Sequence, residues 1–315
     1  MYFPDRGLFV GSAGDRIERR PWTRTTMDFL SPSTLDEALQ AKSAHPEAVP
    51  IMGGTDVMVD INFDRQRPPA LLDLTRVPEL AEWGPDGGGV RLGAGVSYTR
   101  IMKDLPESAP ALVKASRTVA SPQIRNRGTV GGNLGSASPA GDVHPFLLAT
   151  DARVELASVR GERCVPAREF YLSPRKTVQQ PDELITAVLL PARTGPQQFA
   201  KIGTRNAMVI AVASFSLVLD VARRTVGTGL GAAAPTPVRA GSAEEFLAAE
   251  FDWEGARMPS KATVDHFGEL VAAAARPIDD QRGSAAYRRH ALAVMARRAL
   301  SWSVIDYRRE GVRCV

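Results

Sequence analysis

The sequence predicts an α+β protein of two domains, and three observations carry that prediction. Between residues 27 and 190, short apolar runs of strand character alternate with capped, helix-patterned segments. A stretch with two prolines and a glycine, Pro191 to Gln198, then interrupts the pattern and reads as a linker. Beyond it, two long apolar segments are followed by two amphipathic helices. A length of 315 residues fits one large domain or two of ordinary size.

The elements follow in chain order. Residues 1–26 mix Gly, Pro and Arg without periodicity and are expected to be a poorly ordered extension, with Met27 opening the patterned chain. Pro32 stops an entering strand. Ser33 or Thr34 can cap the helix that follows, with Glu37 placed to reach back to a free N–H. Ala48 to Met52 reads as a strand running into a Gly53-Gly54 turn, and Ala70 to Leu74 as a buried strand. Gly87-Gly88-Gly89 is a turn, with a strand over Val90 to Gly95. Leu112 to Ser116 and Phe146 to Ala149 read as helical, and Arg153 to Ala157 alternates like a half-exposed strand. After the linker, Ile210 to Val221 and Gly227 to Ala234 read as strands. One closing helix runs near 261–275 with Val264, Phe267 and Val271 on one face; the other carries a stripe of Tyr287, Ala291, Met295, Ala299, Trp302 and Ile305.

Composition removes several functions. The hydrophobic fraction of 44% supports a core, and the net charge of +4 reflects scattered arginines rather than a basic block, which argues against nucleic-acid binding. No stretch approaches the length of a membrane span. Cys164 and Cys314 are the only cysteines, too few for an intrinsic cysteine-ligated iron–sulfur cluster and without a disulfide framework, so a cytoplasmic setting is expected. The four histidines form no metal pair at helical spacing.

Two glycine-rich stretches carry the functional signal. The first is Gly53-Gly54-Thr55-Asp56; the second is Thr129-Val130-Gly131-Gly132-Asn133, followed by Ser138-Pro139-Ala140-Gly141-Asp142. Missing Cβ atoms let backbone N–H groups converge on an anion. Two such nests suit a ligand with adjacent phosphates, such as a dinucleotide. Gly93-Ala94-Gly95-Val96-Ser97-Tyr98 begins like a dinucleotide fingerprint, but Tyr98 replaces the last glycine and the segment reads as strand interior. No Gly-Lys phosphate loop, zinc motif or nucleophile elbow occurs.

The run Ser121-Pro122-Gln123-Ile124-Arg125-Asn126-Arg127-Gly128, continuing into the second motif, resembles the FAD-binding (medium) subunit of molybdenum hydroxylases, the family of xanthine dehydrogenase and aerobic carbon monoxide dehydrogenase. Lys201 to Ala207, Pro235 to Ala240 and Asp280 to Arg288 resemble later landmarks of that family. The resemblance spans about residues 27–300. It implies a two-part FAD-binding domain of the vanillyl-alcohol oxidase type over 27–196, with subdomains of about 27–80 and 81–196. A smaller α+β C-terminal domain is implied over 197–310. It further implies a small partner chain with [2Fe–2S] clusters and a large one with the molybdenum cofactor, assembled as a dimer of heterotrimers. Electrons would pass through FAD to NAD, quinone or oxygen. A self-sufficient flavin oxidoreductase and a scaffold that has lost its flavin are the alternatives.

On this resemblance, Met52, Gly53, Gly54, Thr55, Thr129, Gly131, Gly132 and Asn133 are expected at the flavin pyrophosphate. Asp56, beside the phosphates, reads better as a helix cap than as a ligand. Asp142 is expected to accept from ribose or adenine, and Ser138 to contact the cofactor or start a turn. Lys201 is expected to place positive charge near the flavin. Leu184, Ile185 and Leu190 are candidates to wall the ring or belong to the core, and Arg125 and Arg127 to meet phosphate or a subunit interface. His144 departs from the family pattern and reads as structural, as does Cys164.

Overall fold

The computed structural model describes residues 27–313. The expectations for residues 1–26 and for Cys314 lie outside the described residues.

The chain opens with β1 (Asp28–Leu30), α1 (Leu35–Ala44), β2 (Val49–Ile51), α2 (Val57–Asn62) and β3 (Ala70–Asp73). The three strands are parallel, in the order β1-β3-β2. The central strand is an unbroken apolar run through Leu72, as a strand covered on both faces requires. α1 starts where the sequence signal placed it. Thr34 Oγ1 accepts the Glu37 N–H at 3.2 Å, and Glu37 Oε2 accepts both the N–H and the hydroxyl of Ser33 at 2.8 Å.

The next region comprises β4 (Trp83–Asp86), β5 (Gly89–Gly93), α3 (Tyr98–Asp104), α4 (Pro110–Thr118), α5 (Pro122–Arg127), α6 (Val130–Ser136), α7 (His144–Ala149), β6 (Arg153–Ser158), β7 (Gly161–Pro166), α8 (Ala167–Phe170), β8 (Tyr171–Ser173), β9 (Lys176–Thr177) and β10 (Leu184–Leu190). β4, β5, β10, β6 and β7 form an antiparallel sheet in that order, and β8 and β9 form a small hairpin. Two sequence expectations need correction here. β6 is buried from Val154 to Ser158 rather than half exposed. Its polar residue, Glu155, is held inside by Arg91 at 2.6 Å and by the Thr186 hydroxyl at 2.7 Å. The segment Gly93 to Tyr98 is a strand-to-helix turn, not strand interior. The N–H groups of Gly93 and Gly95 donate out of the sheet to Glu82 and Leu80 carbonyls at 2.9 and 2.7 Å, and Ser97 then caps α3.

The last region holds β11 (Gln197–Ile202), β12 (Ala213–Asp220), β13 (Thr225–Gly231), α9 (Gly241–Glu250), α10 (Lys261–Ala274) and α11 (Ala285–Arg313). The strands form an antiparallel sheet in chain order. Phe215, Leu217 and Leu219 join Phe267, Val271, Leu292 and Leu300 in one core. The other face of the sheet meets α7. Cβ atoms at Gly227 and Gly229 would stand 1.9 and 1.8 Å from the carbonyl oxygens of Ala149 and Pro145, so the alternating glycines of β13 let a helix backbone lie directly on the strand. On α11 the expected stripe is half right. Ala291, Met295 and Ala299 are buried, but Tyr287, Trp302 and Ile305 are 48%, 42% and 41% exposed. Each step of three falls about 60° short of a full turn, so the expected stripe rotates off the buried face, which continues through Leu300 and Val304.

Candidate functional site

β2 ends in the first glycine turn, where Gly54 has φ +72°, a left-handed conformation that favours glycine. Gly53 is held for a different reason. A Cβ there would stand 1.9 Å from the Arg127 carbonyl oxygen and 3.1 Å from the Gly128 nitrogen. The first turn therefore lies directly on the backbone that opens the second motif. Among the described residues, the backbone N–H groups of Gly53, Gly54, Thr55 and Asp56 donate to no acceptor. Met52 packs under the turn, its Cε 2.2 Å from where a Cβ of Gly95 would stand. Asp56 occupies the first position before α2 without capping it. Its carboxylate is drawn outward towards Arg175 at 3.7 Å, and the same guanidinium donates to Asp60 at 2.6 Å.

The second motif is packed more tightly than the sequence implied. Thr129 caps α6, its hydroxyl oxygen accepting the Gly132 N–H at 3.0 Å. The Gly131 N–H donates to the Ala94 carbonyl at 2.9 Å, and a Cβ at Gly131 would stand 2.6 Å from that of Ala94. The Asn133 N–H donates to the Thr129 carbonyl at 3.1 Å. These three N–H groups thus hold the turn itself. What is left open is the exposed surface of Gly132 and Gly135 beside a half-buried Asn133; Thr129 is buried at the cap.

Ser138 starts a turn: its carbonyl accepts the Gly141 N–H at 2.9 Å and its hydroxyl the Ala140 N–H at 3.4 Å. Asp142 and Lys201 meet in an ion pair of 2.6 Å with side chains only 9% and 7% exposed, which removes the surface reading of Lys201. Lys201 also donates to the Thr118 carbonyl at 3.0 Å. Burial pushes the Asp142 carboxyl up to about 6 despite the Lys201 ammonium beside it, the balance expected when desolvation exceeds the attraction of a buried pair. Leu190 is not brought to the turns. It pairs with Val90 in the core, while Gly93, where β5 turns towards the second motif, pairs with Ala187. Ile185 is at the near end of β10, 3.8 Å from where a Cβ of Gly135 would stand. Arg125 donates to the Val119 and Ala120 carbonyls and is structural; Arg127 is exposed.

Sequence reasoning missed Tyr171, Ala94, Tyr98 and Arg175. The Tyr171 hydroxyl lies 2.7 Å from Nδ1 of the fully buried His144. Burial drives that imidazole down to about 3, so it is neutral. Tyr98 packs on Gly128, its ring 3.1 Å from a Cβ there. Arg175 sits in the turn between β8 and β9 and ties α2 to the end of α6, where its N–H meets the Ala137 carbonyl at 3.1 Å. The Ser173-Pro174-Arg175 turn was a readable signal; nothing local marks Tyr171. A cavity of about 350 Å³ lies elsewhere, lined by Asp151, Arg193, Asp220, Arg223, Arg239 and Glu244. Its arginines are each paired with these carboxylates, so it offers no unpaired charge to an anion.

Two stacked turns, a row of free N–H groups and an open glycine face make a cradle rich in neutral donors, fitted to a pyrophosphate. The comparisons agree. Residues 25–193 match the family described as the FAD binding domain in molybdopterin dehydrogenase, and residues 198–303 match the CO dehydrogenase flavoprotein C-terminal domain. The chain is 31% identical over 282 residues to the nicotine 6-hydroxylase medium subunit of Paenarthrobacter nicotinovorans, covering 86% of this chain and 95% of that one. It is 29% identical over 290 residues to the xanthine dehydrogenase FAD-binding subunit of Escherichia coli O157:H7, covering 88% and 97%. Its fold matches a chain of a Cu,Mo-CO dehydrogenase crystal structure with a TM-score of 0.81 at 27% identity, covering 89% and 98%. A chain of quinoline 2-oxidoreductase from Pseudomonas putida 86 gives 0.81 at 25% identity, covering 88% and 96%. The chain belongs to the family of FAD-binding medium subunits of molybdenum hydroxylases, and so is a subunit of an oxidoreductase complex.

Proposed function

We propose that this chain holds FAD across its two glycine turns and relays electrons from [2Fe–2S] clusters of a small partner chain to an acceptor. The substrate is oxidised at the molybdenum cofactor of a large partner chain. The observation that carries the reading is the seating of Gly53, beside three further residues with free N–H groups, on the Arg127–Gly128 backbone that opens the second motif. Gly53, Gly54 and Thr55 bind one side of the pyrophosphate. Thr129 and Asn133 bind the other, while Gly132 keeps the surface open and Gly131 lets the turn pack on Ala94. Asp142, already bonded to Lys201, holds that ammonium at the end of the loop from Ser138 to Gly141. When bound, FAD supplies exchange between one-electron clusters and a two-electron acceptor, which the protein tunes by position and charge.

A nicotinamide, a quinone and oxygen are the acceptor classes, and the cytoplasm is the proposed setting. No described helix is long and apolar enough to cross a membrane. The test is co-purification of the tagged chain from its native host. The reading expects a complex containing iron–sulfur and molybdenum-cofactor chains whose bound flavin is reduced when substrate is added. A yellow chain that recovers no such partners, or a complex whose flavin stays oxidised, would count against it.

A further inference from the structure

We infer that the buried Tyr171–His144 pair orients the Asn133 side chain so that its NH2 group faces the open glycine surface as a donor to an anionic ligand. This rests on the flavin reading above, in which that ligand is the pyrophosphate. Three observations carry it. The Tyr171 hydroxyl has His144 Nδ1, at 2.7 Å, as its one hydrogen-bond partner among the described residues. Asn133 Oδ1 and His144 Nε2 are both buried without a hydrogen-bond partner among those residues. Both converge over Gly141, where a Cβ would stand 2.3 Å from Nε2 and 2.8 Å from Oδ1.

The chemistry of the donors fixes the orientation. A buried phenol with one neighbour donates its proton to it, so Nδ1 is the acceptor and the neutral ring carries its hydrogen on Nε2. That N–H and Asn133 Oδ1 share the space over Gly141. Oxygen inward sets donor against acceptor; NH2 inward would set two donors against each other. With the oxygen inward, the NH2 group is left on the other side of the amide; Gly132, next in the chain, is exposed. Gly141 leaves room for this approach because it has no side chain. His144 and Tyr171 are positioning residues, acting through Asn133.

Nuclear magnetic resonance of the full chain labelled with 15N-histidine tests the tautomer directly, with His144→Gln used to assign the signal. Hydrogen on Nε2 is the expected result; hydrogen on Nδ1 overturns the inference. FAD titration of the same chain and two variants tests the consequence. Tyr171→Phe keeps the ring contacts with His144 and Phe170 but removes the proton that sets the tautomer. It should mix the two tautomers and raise the FAD dissociation constant about five- to tenfold, the effect of one misdirected hydrogen bond. Asn133→Asp, which cannot donate and repels phosphate, should weaken binding more. If the native chain binds FAD and both variants bind it equally well, this inference fails and the flavin reading stands. If the native chain takes up no FAD, the flavin reading fails and takes the ligand role of Asn133 with it.

Discussion

Gly53 shows how much can depend on one missing methyl group. Its Cβ would overlap the Arg127 carbonyl oxygen, so Gly53→Ala must part the two turns. We expect a loss of about 1–3 kcal/mol, as for other overpacked sites, and at least a tenfold fall in bound flavin, read from the visible spectrum and calorimetry. Gly54→Ala keeps that contact and meets its left-handed backbone and the flexible Met58 side chain, 3.3 Å from the added Cβ, so it should cost about 1 kcal/mol with less flavin loss. Asp142 offers a pH test. Its carboxyl rises from an ordinary 3.8 to about 6 on folding, so the folded chain binds the extra proton between those values. Stability from this group is greatest below that window and declines as pH rises through it. Asp142→Asn should abolish the decline. The stability difference between variant and native chain should move by about 2–3 kcal/mol in favour of the variant between pH 4 and 7. Carboxylates whose pKa is lowered, such as Glu183 bound by Arg163, slope the other way but are common to both proteins and cancel.

At the scale of elements, Arg175 is the tie between the helices that follow the two glycine turns. Arg175→Ala would leave Asp60 buried with only the longer Arg65 contact at 3.6 Å. We expect a cost of about 1–3 kcal/mol, with faster hydrogen exchange confined to α2. Elements with local signals were legible in the sequence. The Ser33-Thr34 box starts α1, and the apolar run of β3 marks a covered strand. Elements set by distant partners were not. β5 ends at Gly93 because the Leu80 and Glu82 carbonyls capture the chain, and β6 is buried because Arg91 neutralises Glu155. The site divides in the same way. Both glycine strings could be read, but their contact joins residues 53 and 127, and the Asp142–Lys201 pair joins the two regions of the molecule. Neither separation leaves a local trace, nor does the bond from the Gly131 N–H to the distant Ala94 carbonyl, whereas the Thr129 cap on Gly132 is local.

Across the whole molecule, the bare glycines of β13 bind the C-terminal sheet to α7, the helix that follows the Asp142 loop. Gly229→Ala places a methyl group against the Pro145 carbonyl and should pry the two regions apart. Calorimetry should then show two transitions where the native chain shows one. Flavin affinity should fall as well, because the Lys201–Asp142 pair spans the same seam. The central claim is that the chain grips a ligand with two linked phosphates, and its most direct test is titration of the flavin-free chain with FAD and with FMN. The account predicts uptake of one FAD per chain and much weaker binding of FMN, which offers a single phosphate to the two turns. Equal affinity for both flavins, or binding of neither, would contradict it.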